Sequence, residues 1–229
     1  MTKKAEDIVP TVETARNEDC WKKGKKGIRE QNRRLKENRG CLRSGEAYPS
    51  DRGFMWYVIQ VTTGKEEEMR LLIEREAGSE LYGRCFYIKR ERIWRRDGEC
   101  IVHVETMFPG YLFVITDKPK ELYWRLKEIP QFTKLLRTED EIFLAVAEDE
   151  MGFLKNLLNG DKEDVVRLSK VRLNEKKEIV SAEGPLEHYE GNIVKKKIRL
   201  RYVMIDVVLF GKKRTVLVGV DIDQESEDR

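Results

Sequence analysis

The side chains with the clearest chemical capability lie in one short run. Lys89, Arg90, Arg92, Arg95 and Arg96 surround Trp94 in YIKRERIWRRDGEC, a mixture suited to phosphate contact and base stacking. The same cations equally suit a solvated face paired with Glu91 and Glu99. Groups suited to bond-making are scarcer. The two histidines, His103 and His188, lie far apart, and the four cysteines (Cys20, Cys41, Cys85, Cys100) have no C-x-x-C spacing. No zinc ligand set emerges, and reduced thiols are expected. The sequence has no G-x-x-x-x-G-K-[ST] loop, G-x-G-x-x-G fingerprint, H-E-x-x-H pair or G-x-S-x-G elbow. Its carboxylate clusters, at 66–68, 139–141 and 148–150, read as ordinary charged surface. The expectation is a protein that is not an enzyme and uses neither metal nor cofactor.

Composition narrows the class further. At 229 residues the chain suits two small domains, since a single domain takes roughly 100 to 200 residues. The charged share of 38% against a hydrophobic share of 40% fits small cores under a heavily charged surface. Apolar runs such as VMIDVVLF fall well short of the ~20 residues that cross a bilayer, and the first residues carry no signal-like apolar run, so a cytoplasmic location is expected. Residues 1–53 hold 14 Lys and Arg against 9 Asp and Glu, whereas the remainder holds 31 against 33. This basic front segment has too little apolar surface to offset the entropy of folding. It reads as an unstructured extension, either a solvated tail or, through GIREQNRRLKENRG, an arm for a phosphate backbone.

The remaining elements alternate between strand and helix signals. FMWYVIQVTT, from Phe54, reads as a strand. TGKEEEMRLLIEREAG reads as a helix with Thr63 and Glu66 at capping-box spacing, one apolar face at Met69, Leu72 and Ile73, and Gly78 as its stop. The basic run and ECIVHVE form a hairpin around Asp97-Gly98, and MFPGYLFVIT forms a strongly apolar strand. KPKELYWRLKEI places Leu122, Leu126 and Ile129 at helical spacing behind a possible Asp117 cap. The expectation is an α+β domain over 54–150, an antiparallel sheet of about four strands against helices. Residues 151–172 read as a short helix stopped by Asn159-Gly160, then a charged connector, GDKEDVVRLSKVRLNEK. From 173 to 223, KKEIVSAE, GNIVKKKIR, YVMIDVVLF and RTVLVGVDI read as closely spaced strands of a small β-barrel, with 224–229 as a tail. The β-branched residues and Gly184, Gly191, Gly211 and Gly219 favour strand and turn over helix there.

WYVIQVTTGKEEEMRLLIE, then MFPGYLFV, IPQFTKLL, EGPLEHYEGNIVKK and VVLFGKKRTVLV resemble, in that order, the two halves of the NusG family of transcription factors. The resemblance runs over roughly residues 55 to 222. It implies a NusG amino-terminal (NGN) domain with an antiparallel sheet flanked by helices, linked to a KOW domain, an SH3-like β-barrel whose motif includes Gly184, Pro185, Leu186 and Gly191. Within the family, the long basic hairpin and IPQFTKLL look most like the LoaP branch, operon-specific antiterminators recruited in some cases by a leader RNA hairpin.

The family implies docking on the clamp helices of the largest subunit of bacterial RNA polymerase. By motif position, Trp56, Gln60, Phe108, Pro109, Tyr111 and Phe113 would contribute, and each could instead belong to the core. Nucleic-acid candidates in the same domain are Lys65, Arg70, Arg75, Arg92, Arg95, Arg96, Lys127, Lys134 and Arg137, for a leader RNA hairpin or exposed DNA. Phe210 matches the KOW position that contacts the termination factor Rho or the ribosome, and could equally be barrel core. KKKIRLRY reads as an exposed basic hairpin rather than a dedicated site. A monomer away from membranes is expected. The alternatives are a general elongation and termination factor of the same family and an RNA-binding KOW protein outside transcription.

Overall fold

The computed structural model describes residues 54–96, 99–135 and 143–222. The basic front segment, the Asp97-Gly98 turn, Arg137, the 224–229 tail and the side chains of Arg96 and Lys134 lie outside the described residues. In chain order the elements are β1 (Met55–Gln60), α1 (Glu66–Glu76), β2 (Arg84–Phe86), β3 (Lys89–Arg96), β4 (Glu99–Thr106), β5 (Tyr111–Thr116), α2 (Pro119–Lys127), α3 (Pro130–Leu135), β6 (Leu144–Ala145), α4 (Glu148–Leu158), β7 (Val165–Val166), β8 (Ser169–Leu173), β9 (Ile179–Glu183), β10 (Ile193–Lys197), β11 (Tyr202–Leu209) and β12 (Lys212–Ile222).

The fold is mixed α+β. An antiparallel sheet of order β2-β5-β1-β6 lies at the centre of the amino-terminal part. All six residues of β5 are buried, because both faces of the strand are covered. Leu112 and Val114 point to one side, with Ile59, Met69, Leu72, Ile73, Leu122, Leu126 and Phe132 from β1 and the three helices α1 to α3. Tyr111, Phe113 and Ile115 point to the other, with Trp56, Val58, Phe86 and Phe108. Alternation along the strand therefore divides one apolar run between two cores.

Helix ends differ from the spacing-based expectation. Lys65 is the N-cap of α1, with no side-chain cap, so the Thr63–Glu66 capping box does not form. The buried Glu66 carboxylate instead accepts the Gly64 N–H at 3.2 Å and the Gly110 N–H at 2.6 Å. The helix start is thereby tied to the turn before β5. Gly110 has a φ of +83°, and a Cβ there would lie 3.0 Å from the Val61 carbonyl oxygen, so only glycine fits. In α2 the cap is Lys118 rather than Asp117, with Pro119 at the first helical position. Asn159, left-handed at φ 44°, ends α4 as the Asn-Gly signal implies.

The carboxy-terminal part is a curled five-stranded sheet, order β10-β11-β12-β8-β9, antiparallel except for β8 against β12. Leu186, Val203, Ile205, Leu209, Val216, Val218 and Val220 fill it.

The charged connector contains two strands, β7 and β8. β7 pairs parallel with Lys89 and Arg90 of β3, and β8 is already hydrogen-bonded into the carboxy-terminal sheet. Two of its charged residues, Asp164 and Arg167, also reach partners distant in sequence, which a local reading cannot see. The distal hairpin, Ile93–His103, belongs to a different compact unit from the other described residues. Within it, Trp94 stacks on His103 with ring centroids 4.2 Å apart.

Candidate protein-binding pocket

Five of the six proposed polymerase-contact residues, all but Pro109, lie on one face of the central sheet. Trp56 meets Phe113 at 6.2 Å and Phe86 edge-on at 5.2 Å, and Phe108 meets Phe113 at 6.4 Å. Phe86 is a member that motif reading missed. Its strand is three residues long, too short for a periodic signal. Gln60 pairs in register with Tyr111 and is half-buried. Pro109, in the turn, is exposed. Offset and edge-on aromatic geometries of this kind add roughly 0.5–1.5 kcal/mol per pair beyond area burial.

The occupant of this aromatic face comes from the same chain. Phe210 leaves β11 in the left-handed region, φ +56°, and its ring stacks on Tyr111 at 5.0 Å and 12°. It also lies 6.4 Å from Phe108 and 6.1 Å from Phe113. Only 8% of Phe210 is exposed. So the two surfaces expected to bind outside partners bind each other here.

Polar groups hold this contact around its edge. Arg214 donates from Nη2 to the Tyr111 hydroxyl at 2.6 Å and lies over the rings of Tyr111 and Phe210 at 5.0 and 5.3 Å. Glu150, buried in the first turn of α4, accepts the Gly211 N–H at 3.1 Å and the Ala147 N–H at 3.3 Å. Sequence reading placed Glu150 in an ordinary acidic cluster, because its acceptor role depends on a turn 61 residues away.

A second set of charges ties the connector to the amino-terminal part. Arg167 donates to Asp161 at 2.6 Å, Glu163 at 2.9 Å and Glu91 at 3.0 Å, and Glu91 also accepts the Leu168 N–H at 3.1 Å. Arg84 donates to both Asp164 oxygens at 2.7 Å. Burial pushes the Asp164 carboxyl up to about 6 despite the pull of Arg84 and Lys89. At the base of the hairpin, Arg90 and Arg92 share Glu105, at 2.7 and 3.3 Å. Burial raises the Glu105 carboxyl, but these guanidiniums outweigh it and hold it below its ordinary range. Arg90 reaches the Leu217 carbonyl at 3.4 Å and Arg92 lies over Tyr202 at 5.2 Å.

Most of the described nucleic-acid candidates are engaged by neighbouring side chains. Lys65 pairs with Glu68, Arg70 with Glu67 and Glu74, and Arg75 with Glu76. Arg70 holds the Glu67 carboxyl below its ordinary range. Lys127 sits over Tyr123 and Trp124 at 5.5 and 5.4 Å, Arg92 is engaged as above, and Arg95 is exposed on the distal hairpin. Among the described residues no group of three or more His, Cys, Asp or Glu could hold a metal ion. Cys85 and Cys100 are free of disulfides, whereas Cys20 and Cys41 lie outside the described residues. No helix among the described residues is long and apolar enough to cross a membrane.

Residues 54–155 match a family model described as "Transcription termination factor nusG". No curated protein matches the sequence. A solved structure described as "Domain interaction in Thermotoga maritima NusG" is similar at 22% identity and a TM-score of 0.46, covering 73% of this chain and 94% of that one. The similarity to the NusG family lies in residues 54–155, 102 of the chain's 229.

Proposed function

We propose that this chain is an operon-specific antitermination and elongation factor of the LoaP type. It docks on the clamp helices of RNA polymerase through the face formed by Trp56, Phe108, Tyr111 and Phe113, and so suppresses pausing and termination. The carrying observation is that aromatic residues from separate motifs form one face, closed by a single turn of the other domain. The closed arrangement is then a masked form. Release of Phe210 exposes both the polymerase face and the KOW surface, which is free to contact the ribosome or Rho. Recruitment comes from a leader RNA hairpin or exposed DNA, in the cytoplasm, with the protein acting as a monomer. Bound factor stabilises the active state of polymerase by binding it in preference to the paused one. No covalent step is involved.

The test is single-round transcription across an intrinsic terminator, on templates with and without the leader of the gene cluster that encodes the protein. Leader-dependent readthrough, lost in Phe108→Ala and raised in Phe210→Ala, is expected. Thermal melts of both variants separate loss of docking from loss of fold. Leader-independent effects on pausing would instead favour the general elongation factor, and no effect on either template would sink both readings.

A further inference from the structure

We propose that the β10 edge of the carboxy-terminal sheet, with the turn that follows it, binds the phosphate backbone of single-stranded RNA. β10 is the terminal strand of its sheet, so alternate backbone N–H groups on its outer side have no strand partner among the described residues. Lys195, Lys196 and Lys197 occupy that edge, and Arg199 continues it in the 3-10 turn Ile198–Leu200. All four are exposed. None has an anionic partner among the described residues, and the nearby carboxylates are committed elsewhere. Asp206 pairs with Lys213 at 2.9 Å, Asp221 with Arg201 at 3.8 Å, and Glu190 accepts the Ala182 N–H at 2.7 Å. This contrasts with α1, where each cation has a glutamate beside it.

Four uncompensated cations over roughly 13 Å of strand and turn match the charge density of a nucleic-acid backbone. Outward-facing N–H donors add further phosphate ligands. A protein partner fits less well, because interface cores are depleted in lysine and rich in aromatic residues. Exposed Val194 and Leu200 flank the cations and offer apolar surface to bases. RNA is the assigned strand because, on the proposed function on which this choice rests, the protein works beside the transcript, which emerges single-stranded. Lysines at a sheet edge also guard against edge-to-edge pairing, but that role alone makes no use of Arg199 beyond the strand.

The experiment compares the full-length chain with the Lys195→Gln, Lys196→Gln, Lys197→Gln, Arg199→Gln quadruple variant. Binding of a labelled 12-nucleotide RNA, the same-sequence single-stranded DNA, its duplex, and a poly-glutamate peptide is measured between 50 and 200 mM salt. Four phosphate contacts give a log–log salt slope near −2.8, or about a 50-fold loss over that range. The variant should bind RNA at least about tenfold more weakly at 50 mM, with the slope reduced by about two to three. A variant with all four positions arginine should keep the wild-type slope. Unchanged affinity and slope in the glutamine variant would overturn the proposal and leave an edge-guarding role. Tighter binding of DNA or of poly-glutamate than of RNA would overturn the choice of ligand. These outcomes do not depend on the pocket, since Phe108 and Phe210 are intact throughout.

Discussion

The two faces of the four-stranded sheet are packed by different chemistry. The helix face is mainly aliphatic, with Ile59, Leu112, Val114, Met69, Leu122 and Leu126 all fully buried. The opposite face is aromatic, and its cover is held by Arg214 on the Tyr111 hydroxyl and Glu150 on the Gly211 N–H. Aliphatic packing of the first kind resists opening, because exposing its surface to water is costly. Aromatic residues bordered by hydrogen-bonding groups are typical of interfaces that exchange partners. On the proposed reading, one face is permanent core and the other a surface under a removable cover.

Leu112→Ala, which cuts into the helix face, should cost about 3–4 kcal/mol in chemical denaturation and destabilise both faces together. If only the helices loosened while the aromatic face kept its melting behaviour, the two faces would not share one cooperative sheet.

The connector sharpens the comparison through pH. The folded Asp164 carboxyl titrates near 6, against an ordinary value of 3.8. The folded chain therefore holds this proton longer than the unfolded one, and its contribution to stability falls as pH rises from about 4 to about 6, then stays level. Relative to Asp164→Asn, the wild type should lose about 2–3 kcal/mol across that window. Parallel melts between pH 4 and 7.5 check the sign, and a gap that widens in favour of the wild type as pH rises would contradict it.

Gly110→Ala should cost about 2 kcal/mol, through its positive φ and the approach of the new Cβ to Val61. Loss of amide protection at the start of α1 should accompany it, because the strained turn would shift and draw the position-110 N–H away from Glu66. Arg167→Ala is the mildest change, about 1 kcal/mol, since the side chain is 35% exposed and its ion pairs are partly screened. Its signature should be faster proteolysis within 161–168 while the helix face keeps its amide protection.

Much of this organisation is legible in the residues. β1 and β5 stand out as aromatic and β-branched runs, α1 and α2 by apolar spacing, and the carboxy-terminal strands by their turns. The facing of MFPGYLFV is not legible, because a strand covered on both sides shows no alternation of polar and apolar residues. The strands of the connector are not legible for a related reason: Arg167 and Asp164 there also pair with Glu91 and Arg84, each more than 70 residues away. Glu66 had the right spacing for a capping box, yet the closer N–H of Gly110 claims its carboxylate. Phe210 stood between partner contact and barrel core, and its ring lies against the amino-terminal sheet.

The most direct test of the covered-face account is the affinity of the full chain for core RNA polymerase, wild type against Phe210→Ala. A cover closed in about nine-tenths of molecules would weaken apparent binding about tenfold. The account predicts that Phe210→Ala binds polymerase about tenfold more tightly and that adding Phe108→Ala abolishes the gain. Equal affinity of wild type and Phe210→Ala would contradict it.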